Sequence, residues 1–147
     1  MFNYKEIKHD KVANVCGPWP KKLIEDSELS SKYSLALVKG SHILIDRFFA
    51  IPLVIQIPED GRIVFALPYH GRSLLGTTEV KNEISDEISC SEQDLMYLIN
   101  AGNSVFTQKL NKKVVMEVYA GARPIVTIEQ KVEALSKVSR ESTIETI

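Results

Sequence analysis

The chain has 147 residues, 44% of them hydrophobic and 25% charged, with a formal net charge of -1. This is the balance of an ordinary globular domain with a hydrophobic core. It excludes a general nucleic-acid or polyanion binder, which needs a large basic excess, but leaves room for a small anionic substrate held by a few local cations.

Cys16 and Cys90 have no CxxC partner, and no histidine cluster has metal-ligand spacing, so neither a disulfide framework nor a metal site is expected. With so few cysteines the expected compartment is the reducing cytoplasm. No apolar stretch approaches the roughly 20 residues that cross a bilayer. The opening MFNYKEIKHDK lacks the apolar core of a signal peptide, so any membrane contact is expected to be peripheral.

In chain order, residues 2–7 alternate weakly and meet a turn at His9-Asp10-Lys11, after which Val12-Ala13-Asn14-Val15 predicts a short buried strand. Gly17-Pro18-Trp19-Pro20 breaks it, and residues 21–26 predict a short helix behind a proline in its first turn. Trp19 reads as core or interface packing. Strands are predicted at 33–39, 43–47 and 53–57, with Glu59-Asp60-Gly61 turning the chain into an antiparallel return at 62–67. A further strand at 73–76 ends in Thr77-Thr78-Glu79, two threonines that read as ordering a strand end. His70 falls on a hairpin tip and reads as solvated.

The clearest helix is predicted at 92–106, where Leu95, Leu98, Ile99, Val105 and Phe106 recur near helical spacing. Ser89-x-x-Glu92 and Ser91-x-x-Asp94 both offer it a capped start. The lysines of residues 108–113 read as a solvated face. Residues 113–119 predict a strand, 129–137 a short helix or loop, and 139–147 alternate like a strand with no turn behind it. The pattern is α+β, an antiparallel or mixed sheet with flanking helices.

Four collinear segments then stand out. They are Asn14-Val15-Cys16-Gly17-Pro18-Trp19; Lys39-Gly40-Ser41-His42-Ile43; Gly61-Arg62-Ile63-Val64-Phe65-Ala66-Leu67-Pro68-Tyr69 continuing to Leu75-Gly76-Thr77-Thr78-Glu79; and Tyr119-Ala120-Gly121-Ala122-Arg123-Pro124-Ile125, with Ser139-Arg140-Glu141 beyond. Together they make the chain resemble the FAD-dependent glycerol-3-phosphate dehydrogenases of the aerobic, quinone-linked type, along nearly its whole length. The resemblance implies the substrate-binding (cap) part of a D-amino-acid-oxidase-like flavoenzyme fold. Residues 1–20 are then the remnant of an FAD-binding part, 21–138 the substrate-binding part and 139–147 a truncated return strand. The family's Gly-x-Gly-x-x-Gly turn and its Gly-Gly-Lys-Leu-Thr-Thr stretch do not occur in this sequence. The expectation is therefore a segment of an oxidoreductase that does not turn over alone.

Site residues follow from the same resemblance. Arg123 by type alone is a surface arginine before a proline, but the matching arginine of the family lies beside substrate and flavin. Its rigid fork suits an alkoxide or phosphate oxygen, and Pro124 biases it to an extended backbone. His42 by type alone is a structural histidine; by resemblance it touches substrate, with an ordinary pKa suited to taking a hydroxyl proton. Which of His42 and Arg123 organises proton removal stays open. Lys39 is the weaker substrate-binding candidate, and Asn14 with Gly17 would approach FAD. The implied partners are glycerol 3-phosphate, a quinone acceptor and, peripherally, the inner face of the cytoplasmic membrane. Core left exposed where a partner domain should dock is expected to favour a homodimer that covers it. The alternatives are a segment of an oxygen-reducing glycerophosphate oxidase and a non-catalytic remnant or partner-binding module.

Overall fold

Turn chemistry builds the first half of the sheet. The computed structural model describes residues 6–83, 87–127 and 143–147. Gly61 takes φ +70° and joins β2 (Leu53–Gln56) to β3 (Ile63–Tyr69) as an antiparallel pair. His70 and Gly71 both have positive φ, 46° and 75°, and link β3 to β4 (Arg72–Gly76) in the tight turn whose twist matches its strands. His70 is exposed on that tip.

The second half is one long antiparallel ribbon. β1 (Ser34–Ile45) pairs with β6 (Val115–Thr127) from Ser34 opposite Thr127 to Ile45 opposite Val115. The strands expected at 33–39 and 43–47 are thus one strand. Gly40 and Ser41 are drawn into extended backbone because β6 offers a continuous partner. β6 likewise runs straight through Gly121 and Pro124. Among the described residues it pairs with β1 alone, so Pro124 sits on an edge strand, where a missing N–H is tolerated. The other edge of β1 is shared: β4 pairs with residues 42–45 and β5 (Val80–Asn82) with residues 37–39. The result is a six-stranded sheet, antiparallel at every pairing described.

One helix seals one face. α2 (Glu92–Val105) starts at Ser91, whose hydroxyl accepts from Asp94 N–H at 3.1 Å while the Asp94 carboxylate accepts from Ser91 N–H at 3.1 Å. Its Leu98, Ile99 and Ala101 pack on Ile43, Ile45, Ile55, Val64, Ala66 and Leu75, and the core closes with Phe106 stacked on Phe49 at 4.3 Å. A short 3₁₀ turn (Lys112–Val114) leads from this layer into β6, and Lys109, Lys112 and Lys113 are exposed.

Two expectations fail at the ends. Residues 12–15 form no strand; Val12 and Val15 are 69% and 87% exposed, because a four-residue segment without a partner strand has no ladder to join. The helix expected just after them is present as α1 (Pro20–Asp26), though it buries no residue, and Trp19 is 51% exposed, so of its two readings core packing within this chain does not hold. Residues 143–147 are irregular, so the return strand is absent from that part of 139–147, and Glu145 instead accepts from the Ser31 hydroxyl and the Lys32 N–H. Residues 2–5 of the weakly alternating opening, the helix or loop at 129–137, and Ser139-Arg140-Glu141 lie outside the described residues.

Candidate functional site on the open sheet face

Strand alternation divides β1 between two environments. Lys39, Ser41, Ile43 and Ile45 point toward α2. Val38, Gly40, His42 and Leu44 point to the other face. Directly paired residues share a face. Arg123 is opposite Val38, Gly121 opposite Gly40, and Tyr119 and Gly76 flank His42 on either side. His42 and Arg123 therefore stand on one face of the sheet despite their separation in sequence, and it is the face that α2 leaves open. Around them that face is apolar and accessible, with Val54, Phe65, Leu67, Tyr69 and Tyr119 all substantially exposed.

Two glycines let the polar groups lie down on the sheet. A Cβ built on Gly76 would fall 2.1 Å from Cδ2 and 2.8 Å from Nε2 of His42, so the imidazole occupies the space a side chain would take. A Cβ on Gly40 would fall 2.4 Å from Oγ1 of Thr77 and 3.1 Å from Nη2 of Arg123. The guanidinium thus leans across Gly40 from the Val38 position toward His42. Thr77 reaches the same spot from the end of β4, a placement that its reading as a strand-end residue missed. Only the side-chain path over Gly40 reveals it, and sequence spacing holds no sign of that path.

The electrostatics suit proton acceptance. Burial lowers the His42 pKa below its ordinary 6.5, and the positive charge of Arg123 lowers it further. The imidazole is therefore neutral at neutral pH and has a free lone pair to offer.

Lys39 does not join them. It lies three positions before His42 on the same strand, an odd step, so it points the opposite way. It lies 8% exposed with its ammonium 2.8 Å from Asp94 and 2.9 Å from the Ser89 carbonyl. Ser41 donates to the same carboxylate at 3.1 Å. Burial would raise the Asp94 pKa, but hydrogen bonds from Lys39, then Ser91 and Ser41, outweigh it and hold the group at about 2. The substrate-binding expectation for Lys39 is corrected to an anchor between β1 and α2.

Asn14 and Gly17 stay in their own turn. The Asn14 amide donates to the Pro20 carbonyl at 3.0 Å and its oxygen accepts from Cys16 N–H at 3.4 Å, while Gly17 supplies the positive φ of 57°. The hydrogen bonds found there are all local, and none links Asn14 to the sheet.

Fold and site together define a class: an antiparallel sheet sealed on one side by a helix, with a histidine and an arginine on the open side. Residues 3–140 match the family described as FAD dependent oxidoreductase, and the chain belongs to that family. It is 30% identical over 138 residues to the aerobic glycerol-3-phosphate dehydrogenase of Escherichia coli, covering 91% of this chain and 27% of that protein. It is 34% identical over 119 residues to the D-erythritol 1-phosphate dehydrogenase of Brucella abortus, covering 78% of this chain and 24% of that protein. Its backbone is similar to the crystal structure of glycerol-3-phosphate dehydrogenase from Bacillus halodurans complexed with FAD, with TM-score 0.71 and 28% identity, covering 77% of this chain and 24% of that one. The chain thus spans about a quarter of the length of the relatives it matches.

The residues fit one end of the family's cofactor. Gly121 is bare, since a Cβ there would meet nothing within 4 Å, and beside it Arg123 offers donors. A flat ring can approach backbone so uncovered. No Gly-x-Gly-x-x-Gly turn exists among the seven glycines to cradle a pyrophosphate.

Proposed function

We propose that this chain is the substrate-binding segment of an FAD-dependent glycerol-3-phosphate dehydrogenase, which oxidises glycerol 3-phosphate to dihydroxyacetone phosphate. The observation behind this reading is the placement of a neutral His42 beside Arg123 on the uncovered sheet face. Oxidation removes a proton from the C2 hydroxyl and a hydride from C2. His42 accepts the proton, since burial and Arg123 keep its imidazole neutral. Arg123 holds a phosphate oxygen or the developing alkoxide with its planar fork. Bound FAD supplies the hydride acceptor, which no side chain provides.

Two finer parts of the reading rest on the resemblance: electrons passing to a quinone, and a cytoplasmic enzyme held peripherally at the inner face of the membrane. A third, a homodimer, rests on the apolar residues left exposed on the open face. Glycerol 3-phosphate binding tests the core of it. Titrated into the isotopically labelled chain, it is expected to shift His42 and Arg123 resonances, with glycerol alone much weaker. Unmoved resonances would sink the assignment. Reading the source DNA on both sides of the chain tests the rest. A flanking Gly-x-Gly-x-x-Gly and Gly-Gly-Lys is expected, and their absence would favour the non-catalytic alternative.

A further inference from the structure

The ladder on one edge of β1 is interrupted at Gly40 and Ser41, where pairing passes from β4 to β5. Thr78 bridges the gap. Its hydroxyl oxygen accepts from Ser41 N–H at 3.0 Å and its own N–H donates to Ser41 O at 3.2 Å, with the residue 2% exposed. Thr78 is thereby consumed by structure. Thr77 is not. Its hydroxyl lies over Gly40 on the His42 and Arg123 face, since an added Gly40 Cβ would meet both Thr77 Oγ1 and Arg123 Nη2. The two polar ends are neighbours, no further apart than those two short distances laid end to end.

The state of that hydroxyl decides what it recognises. Thr77 Oγ1 gives its proton to the Thr78 carbonyl at 3.0 Å. A hydroxyl oxygen has two lone pairs, and these remain to accept. Arg123 beside it has donors only. The spot over Gly40 therefore pairs a cation that takes an anionic oxygen with an acceptor that takes an O–H.

We infer that Thr77 is a substrate-contacting residue, accepting a hydrogen bond from a substrate hydroxyl next to the reacting carbon while Arg123 takes an anionic oxygen. It rests on reading this face as the substrate site. It adds a basis for selecting a polyol phosphate over an analogue that lacks the neighbouring hydroxyl.

The experiment measures binding to the full chain by NMR titration with two ligands, glycerol 3-phosphate and 2-hydroxypropyl phosphate, which lacks that hydroxyl. The unmodified chain is expected to prefer glycerol 3-phosphate by about three- to tenfold, the contribution of one neutral hydrogen bond. Thr77→Val, nearly the same shape, should abolish the preference by weakening glycerol 3-phosphate only, and Thr77→Ser should retain it. Equal weakening of both ligands in Thr77→Val, or a preference that survives the substitution, overturns the contact. Failure of the unmodified chain to bind either ligand overturns the substrate site itself and the contact with it.

Discussion

At the scale of single residues, the site depends on what is missing from Gly76 as much as on what is present at His42. Gly76→Ala would put a methyl group 2.1 Å from Cδ2 of His42, so the ring must leave. The expected result is a tenfold or greater loss of glycerol 3-phosphate affinity, at an order of magnitude per roughly 1.4 kcal/mol. His42 itself should titrate below 6.5, followed through its imidazole resonances. Arg123→Gln removes a positive neighbour, so protonation becomes easier and the midpoint should rise, incompletely, because burial remains the larger cause. A midpoint left unmoved in Arg123→Gln would mean the two groups do not interact. The folded-state value lies below the unfolded one, so His42 adds stability above 6.5 that is lost as pH falls through its folded pKa. The residue types at 42 and 123 were legible through the motifs around them. Their meeting was not, because it depends on the register of β1 against β6, which no local spacing encodes.

At the scale of elements, the same dependence on a partner explains the errors. Turn signals at Gly61 and His70-Gly71 are local, since positive φ is a property of the residue, and both hairpins were legible. Gly40 and Gly121 carry the same residue type but sit mid-strand, because each is held by the opposite strand. The α2 start is a clearer case: Ser89 and Ser91 both offered a cap, and Asp94 chooses Ser91 because Lys39 and Ser41 already fix its carboxylate. Asp94→Asn breaks that buried pair and should cost about 3–5 kcal/mol of unfolding free energy, read by denaturant titration. Combining it with Lys39→Met should recover much of the loss, since no unpaired ammonium is left buried. If the double variant is no more stable than Asp94→Asn, the pair is not what anchors the helix. With Asp94 held at about 2 against an ordinary 3.8, its contribution is present above 3.8 and is lost as pH falls from there toward 2.

At the scale of the whole molecule, the alternation of core positions and four collinear motifs made the sheet and its family legible, while the open face shows where the chain's own residues stop. That face bears on cofactor retention. A flavin dinucleotide is held largely through its pyrophosphate, by backbone N–H groups of a glycine-rich turn at a helix N-terminus. The nearest substitute here, the Asn14–Gly17 turn, spends both Asn14 groups on Pro20 and Cys16. The sheet offers the ring system bare backbone at Gly121 and the donors of Arg123. Against these stand several kcal/mol of lost translational and rotational freedom, commonly about 4–15 kcal/mol on association. A few contacts at one end of a large ligand do not offset that. The 147-residue chain by itself is therefore expected neither to retain FAD nor to reduce a dye with glycerol 3-phosphate. The measurement is purification, incubation with excess FAD, desalting, and reading both protein-bound flavin absorbance and dye reduction. One flavin per chain with turnover would mean that the open face alone holds the cofactor, and that the pyrophosphate needs no cradle in this protein.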